Sequence, residues 1–131
     1  VQTLEIMENE KIVQNSKDMG DYMMGKLEEL YKYDIVGHVR GGKGLLNAVE
    51  IVKNKDTKEP FEGHLNMGDK VANLSIDNGL ICRPLGPAIV LCPQFIITKN
   101  QIDIFLKKSD IVVSILPATL ATNNFIDKTF L

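Results

Sequence analysis

The stretch "GLICRPLGPAIVLCPQF", residues 79–95, decides the fold. Two short aliphatic runs flank Leu85-Gly86-Pro87, and apolar runs parted by a proline-glycine turn read as two strands folded back on each other. Arg83 is the odd residue in it. Burying a guanidinium is costly without a partner, so something anionic should meet it, either a neighbouring carboxylate or a ligand. Pro84 biases Arg83 to an extended backbone, at the mouth of a tight turn. The residues alone leave three readings for this arginine: a structural salt bridge, a snorkelling side chain, or a bidentate carboxylate receptor.

Working outward, "LNMGDKVANLSIDNG" (65–79) predicts a helix. Asn66 stands at its N-cap, Asp69 lies in the first turn, Gly79 falls just past the end, and Val71 and Leu74 form its buried stripe. Before it, "DIVGHVRGGKGLLNAVEIVKN" (34–54) predicts strand, glycine-rich turn and strand, followed by the polar loop "KDTKEPFEG" (55–63). At the N-terminus, Ile12, Met19, Met23, Leu27 and Leu30 share one face of a helix read as a single long element. Gly20 and Gly25 weaken it by about 1 kcal/mol each relative to alanine, so packing must hold it. Its methionines read as core filler.

Beyond the quoted strands, Thr98 with Gln101 forms a capping box that starts another helix over "TKNQIDIFLKK" (98–108). "SDIVVSILPATLA" (109–121) is β-branched and stops at Pro117, which favours a strand or irregular segment over a continuing helix. The order is helix, two strands, helix, two strands, helix and a divergent tail. That is an α+β fold with helices packed on a mainly antiparallel sheet.

At 131 residues the chain is one domain's worth, and an apolar fraction of 44% argues against disorder. Fifteen Lys and Arg against 17 Asp and Glu leave no basic footprint for nucleic acid and no polybasic membrane patch. Two cysteines, with no signal-type start and no apolar run of membrane-spanning length, point to a reducing, cytoplasmic setting. An opening at Val1, already inside a helical pattern, reads as a segment of a longer protein.

Other chemistry-bearing residues have plainer explanations. "RGGKG" (40–44) lacks the earlier glycine and the following Ser or Thr of a phosphate loop, and it lies between strands, so a hairpin turn explains it. Lys43 on that turn is solvated rather than poised for Schiff-base chemistry. His38, His64, Cys82 and Cys92 match no zinc spacing. Cys82 and Cys92 can face one another across the hairpin, though free thiols suit the compartment better. Glu50 sits on a solvated strand face or pairs with a cation. No residues stand out as a catalytic set.

Taken together, "HVRGGKGLLNAVEIV", "KDTKEPFEG", "NGLICRPLGPAIVLCPQFIIT" and "NQID", in this order and spacing, resemble the C-terminal segment of class III pyridoxal-phosphate aminotransferases, most closely the ω-transaminases of the amine–pyruvate group. The likeness runs from Val1 to Phe105. It implies the small C-terminal domain of a fold type I enzyme, residues 1–105, followed by a divergent tail, 106–131. The resemblance places the aldimine lysine, the phosphate cup and the ring-stacking groups in a large domain outside this chain, so no catalytic, cofactor-binding or metal residue is assigned here. It implies one substrate-binding residue, Arg83, which meets the substrate carboxylate and swings aside for a carboxylate-free amine.

The implied whole is a cytoplasmic homodimer that carries pyridoxal phosphate and moves an amino group from an amine or amino acid to a keto acid such as pyruvate. The segment alone is expected to be inactive and to self-associate through apolar surface normally covered. "RGGKGLL" carries one residue more than the common form, Gln94 replaces a second proline, and the tail abandons the amphipathic helix. Two other readings stand beside this one. One is a non-catalytic fragment or interaction module that keeps the fold. The other is a piece of a nicotinamide-dependent dehydrogenase, since "SDIVVSILPA" is similar to a strand of saccharopine dehydrogenase-like proteins. It ranks last because no G-x-G-x-x-G follows a strand.

Overall fold

The computed structural model describes residues 2–114. Its strands are β1 Val36–Arg40, β2 Asn47–Ile51, β3 Arg83–Leu85 and β4 Ala88–Leu91. They form one sheet in the order β1-β2-β4-β3, with all three pairings antiparallel. The α+β class and the antiparallel sheet are therefore as the sequence implied.

The strand order has a chemical basis. Pro84 has no N–H to give a ladder, so β3 belongs at an edge. The aliphatic run of β4 takes the interior place beside β2. At the other edge, β1 carries His38 and Arg40 outward, as exposed edges do. A bulge between Val36 and His38 keeps Val39 facing inward opposite Val49. The bulge's Gly37 carbonyl accepts a 2.6 Å hydrogen bond from Lys58 Nζ.

The helices are α1 Gln2–Asn9, α2 Ile12–Glu28, α3 Met67–Asp77 and α4 Lys99–Ser114. The inward side chains Val39, Val49, Ile51, Ile89 and Leu91 share one core with Met23 and Leu27 of α2, Val71 of α3 and Ile102 of α4. Met23, Leu27, Ile51 and Ile102 are fully buried, each contributing about 1.5–3 kcal/mol by leaving water. The methionine stripe of α2 is core, as its spacing implied.

Three local expectations are revised. The first helix is two helices, broken where Lys11 takes a left-handed φ of 51°. α1 buries no residue, so no packing holds the two halves in line. The second half is anchored instead: Asn15 Nδ2 donates to the carbonyls of Phe95 at 2.6 Å and Ile97 at 3.2 Å.

Asn66 holds the N-cap position of α3 but makes no capping bond with its side chain; its own left-handed φ of 45° turns the chain into the helix. Lastly, α4 continues to Ser114, so the β-branched stretch is helical at least through "SDIVVS". Pro117 and the rest of the tail lie outside the described residues. The capping box at its start is formed: Thr98 N donates to Gln101 Oε1 at 3.0 Å, and Gln101 N to Thr98 Oγ1 at 3.4 Å.

Candidate functional site

Successive side chains on a strand alternate between faces, so the register fixes what the open side of the sheet presents. Arg40 pairs with Ala48, Ala48 with Val90, and Val90 with Arg83. One row thus crosses the whole sheet with an arginine on each edge strand and two small apolar residues between. These four, with Gly41, Leu46, Asn47 and Leu85, line an open groove of ≈ 490 Å³. Leu46 and Leu85 stand exposed beside it.

Arg83 is exposed on β3. The cost of burial that singled it out in the sequence does not arise, because the greasy character of residues 79–95 belongs to β4 and to the inward positions. Among the described residues the Arg83 side chain has no carboxylate within salt-bridge reach and no hydrogen-bond partner. The structural salt bridge is excluded among those residues. Its planar fork of donors lines the groove without a partner among the described residues.

Arg40 is the residue the sequence reading passed over. Its Nη2 lies 3.7 Å from Oε2 of Glu50, with side chains 53% and 33% exposed. Both readings of Glu50 hold at once: it is on the wet face and it meets a cation. At that distance and exposure the pair is worth no more than about 1 kcal/mol. Counting strand parity from Val39 would have put Arg40 on the open face. No count within the sequence would have brought it into one row with Arg83, because that depends on β4 inserting between β2 and β3.

Both edge strands are held by the turns that adjoin them. In the β1–β2 turn, Gly42 and Gly44 take φ of 78° and 73°, which the glycine-rich run supplies. Asn47 is buried, its Oδ1 accepts from Gly42 N at 3.4 Å, and its Nδ2 has no partner among the described residues.

Each hairpin tip is pressed by a glycine of a helix. A Cβ built on Gly20 of α2 would lie 2.3 Å from the Gly44 carbonyl oxygen, and one on Gly68 of α3 would lie 2.1 Å from that of Gly86. Arg40 and Arg83 therefore project from hairpins clamped against the helical layer.

The remaining sequence candidates are dispersed. Lys43 is exposed on its turn. His38 lies opposite Glu50 on β1, while His64 lies in a separate exposed turn, 3.8 Å from Glu62. No group of three His, Cys, Asp or Glu among the described residues comes together to hold a metal. Cys82 and Cys92 are free. The pairing of Arg83 with Val90 leads to Leu91 opposite Cys82, so the two thiols are one residue out of register and on opposite faces. No helix among the described residues is long and apolar enough to cross a membrane.

Away from the groove, a cleft of ≈ 170 Å³ between α2 and α4 is lined by Lys26, Glu29, Leu30, Asp103, Leu106 and Lys107. Tyr22 donates a 2.7 Å hydrogen bond to Asp103 there, and this bond holds the tyrosine pKa above its ordinary value of 10.0. Lys26 is raised as well, first by its 3.0 Å hydrogen bond to Glu29. Tyr22–Asp103 ties α2 to α4, whereas Lys26–Glu29 is an exposed pair three residues apart at the end of α2.

The family model described as aminotransferase class-III matches residues 1–113. An adenosylmethionine-8-amino-7-oxononanoate aminotransferase of Methanocaldococcus jannaschii is 36% identical over 100 residues, 76% of this chain and 22% of that protein. Among solved structures, the PMP-bound form of an aminotransferase from Vibrio fluvialis superposes with a TM-score of 0.76 at 36% identity, over 83% of this chain and 25% of that one. A thermostable (S)-enantioselective ω-transaminase from Thermomicrobium roseum gives a TM-score of 0.84 at 29% identity, over 89% of this chain and 26% of that one. The chain thus spans about a quarter of the length of the proteins it matches.

Proposed function

Since the chain belongs to the class III aminotransferases, we propose that residues 1–105 are the small C-terminal domain of a pyridoxal-phosphate enzyme whose groove receives a substrate carboxylate on Arg83. The observation that carries this reading is an arginine exposed in a groove with no acidic partner among the described residues. A guanidinium presents parallel donors that match both oxygens of a carboxylate. The apolar floor of Ala48 and Val90 suits the hydrocarbon part of a small acid.

In this reading no cofactor contact is assigned to the described residues. Lys43, the one lysine beside a glycine-rich turn, is exposed and not enclosed with a second cation or an apolar wall. On this reading the lysine, the phosphate site and the ring contacts are supplied from outside residues 1–131. When bound, the cofactor supplies the electron sink for moving the amino group.

This chain's part is to bind and orient. Arg83 holds the carboxylate of a keto acid such as pyruvate and turns aside when a carboxylate-free amine occupies the groove; the clamped hairpins fix the base from which it moves. The reading carries with it a cytoplasmic homodimer that acts on small molecules, and a segment that is inactive alone.

Two measurements test it. The natively expressed protein should be about four times the length of this chain, going by the share of its relatives that the chain spans, and should carry cofactor absorbance. A colourless product of the present length would favour the alternative, a non-catalytic fragment or interaction module. In the full-length protein, Arg83→Ala should raise the keto-acid KM by about 10- to 100-fold. The half-reaction with a carboxylate-free amine should be nearly unchanged. Equal losses in both half-reactions would refute the role.

A further inference from the structure

We propose that Gly68 of α3 is a positioning residue for Arg83: its missing side chain lets the Gly86 turn seat against the helix, and that seating fixes where the guanidinium stands. The inference rests on the carboxylate-binding role proposed for Arg83 and adds the residue that sets its aim.

The contact is backbone on backbone. A Cβ built on Gly68 would lie 2.1 Å from the Gly86 carbonyl oxygen, 3.3 Å from its carbon and 3.4 Å from Cβ of Pro84. No carbon approaches an oxygen as closely as the first of these, so helix and turn meet as they do only because residue 68 has no side chain. Pro84 adjoins Arg83 in the chain. One point on α3 therefore bears both on the turn and on the residue next to the guanidinium.

The two sides of the contact are unequally held. α3 buries Met67, Val71, Ala72 and Ser75, and a helix anchored in close-packed core does not back away. β4 is paired with β2 from Ala88 to Leu91, and the Pro87 carbonyl accepts from Ile51 N at 2.9 Å. β3 is only three residues long, at the sheet edge, with β4 as its one neighbour among the described residues. A wedge driven between α3 and the turn is therefore taken up by β3, and Arg83 moves with it.

The consequence is selective. A methyl group at position 68 displaces the base of Arg83 by about 1 Å, and a shift of that size costs a positioned group up to about 100-fold. A guanidinium fork is sensitive to it because two N–H groups must meet two oxygens at once. An amine without a carboxylate does not use the fork.

The test uses the full-length, cofactor-loaded protein, with each half-reaction followed separately by cofactor absorbance. Gly68→Ala should raise the pyruvate KM by about 10-fold and leave kcat and the carboxylate-free amine half-reaction within about 2-fold. Gly25→Ala, whose Cβ would meet nothing within 4 Å, is the control and should change neither. Added to Arg83→Ala, Gly68→Ala should cause no further loss, because the side chain it positions is gone.

Equal losses in both half-reactions, no loss in either, or the same pyruvate loss with and without Arg83 overturn the inference while leaving Arg83 in its role. An Arg83→Ala protein with unchanged pyruvate KM overturns the reading beneath it. Should Gly68→Ala fail to fold, Gly86→Ala decides. A Cβ there meets nothing within 4 Å, but the φ of 58° is strained for alanine, so the same turn is disturbed without a clash. A loss confined to pyruvate supports the inference; equal losses in both half-reactions, or none, overturn it.

Discussion

Two glycines on one helix should respond to the same substitution with opposite signs. Gly20 and Gly25 both lie within α2, and each should gain about 1 kcal/mol of helix propensity on replacement by alanine. Around Gly25 there is open space: a Cβ would meet nothing within 4 Å. Gly25→Ala should therefore stabilise the chain by about 0.5–1 kcal/mol. At Gly20 the added Cβ would fall 2.3, 2.5 and 2.7 Å from the carbonyl oxygen, carbon and Cα of Gly44.

The obstacle at Gly20 is backbone, with no flexible side-chain end to yield. Restoring ordinary contact means parting helix and hairpin by about 1 Å. Overpacking of this kind costs about 1–3 kcal/mol, and the upper end applies because the Gly44 turn is itself fixed by its φ of 73°. Net of the propensity gain, Gly20→Ala should destabilise by about 1–2 kcal/mol, leaving the two variants about 1.5–3 kcal/mol apart.

Urea unfolding followed by far-UV circular dichroism reads this directly, at low protein concentration to keep association out of the equilibrium. The midpoints should move in opposite directions at a common slope. Gly20→Ala matching Gly25→Ala would show that α2 does not press on the hairpin, and the account of how Arg40 is held would fall with it.

Other consequences are simpler to state. Thr98→Ala removes both hydroxyl contacts of the capping box and should cost about 1 kcal/mol in the same assay, whereas Ser75→Ala, which loses a bond only to the Val71 carbonyl four residues back, should cost well under about 1 kcal/mol. The Tyr22 pKa is raised by its hydrogen bond to Asp103. The protonated phenol is the stabilised form, so the benefit is present below the ordinary pKa and lost as pH rises through the higher folded value; Asp103→Asn should move the Tyr22 titration down toward the ordinary value in a pH series of NMR spectra. Exposed Ile81, Leu85, Phe95 and Ile96 lead us to expect concentration-dependent association of the chain alone in sedimentation velocity; a single monomeric species over a wide concentration range would count against it.

Local chemistry was legible where neighbours in sequence are the partners. The capping box at Thr98 and Gln101, the stripe of Met19, Met23 and Leu27, the hairpin at Gly42 and Gly44, and the strand pair around Gly86 depend on residues a few positions apart, so spacing alone fixes them. The motif order from "HVRGGKG" to "NQID" likewise points to the class III family that the whole-chain match shows.

What failed locally failed for want of packing information. "NEKIV" (9–13) carries no Gly or Pro to announce a break, yet α1 has nothing to pack on and the helix parts at Lys11. The β-branched run from Ser109 favours a strand or irregular segment by composition, but its start continues α4, where helix already under way costs little to extend.

Patterning along the chain was enough for the α+β class and the antiparallel pairing of the strands, and it singled out Arg83 as a charge in need of a partner without assigning its role. Tertiary structure alone decided that Arg83 is exposed rather than buried, that Gly20 and Gly25 are different kinds of glycine, and that Arg40 shares a row with Arg83. The reason is range. Spacing reports contacts made within a turn or a hairpin, whereas these three facts depend on β4 lying between β2 and β3 and on two helices pressing against turns far away in the chain.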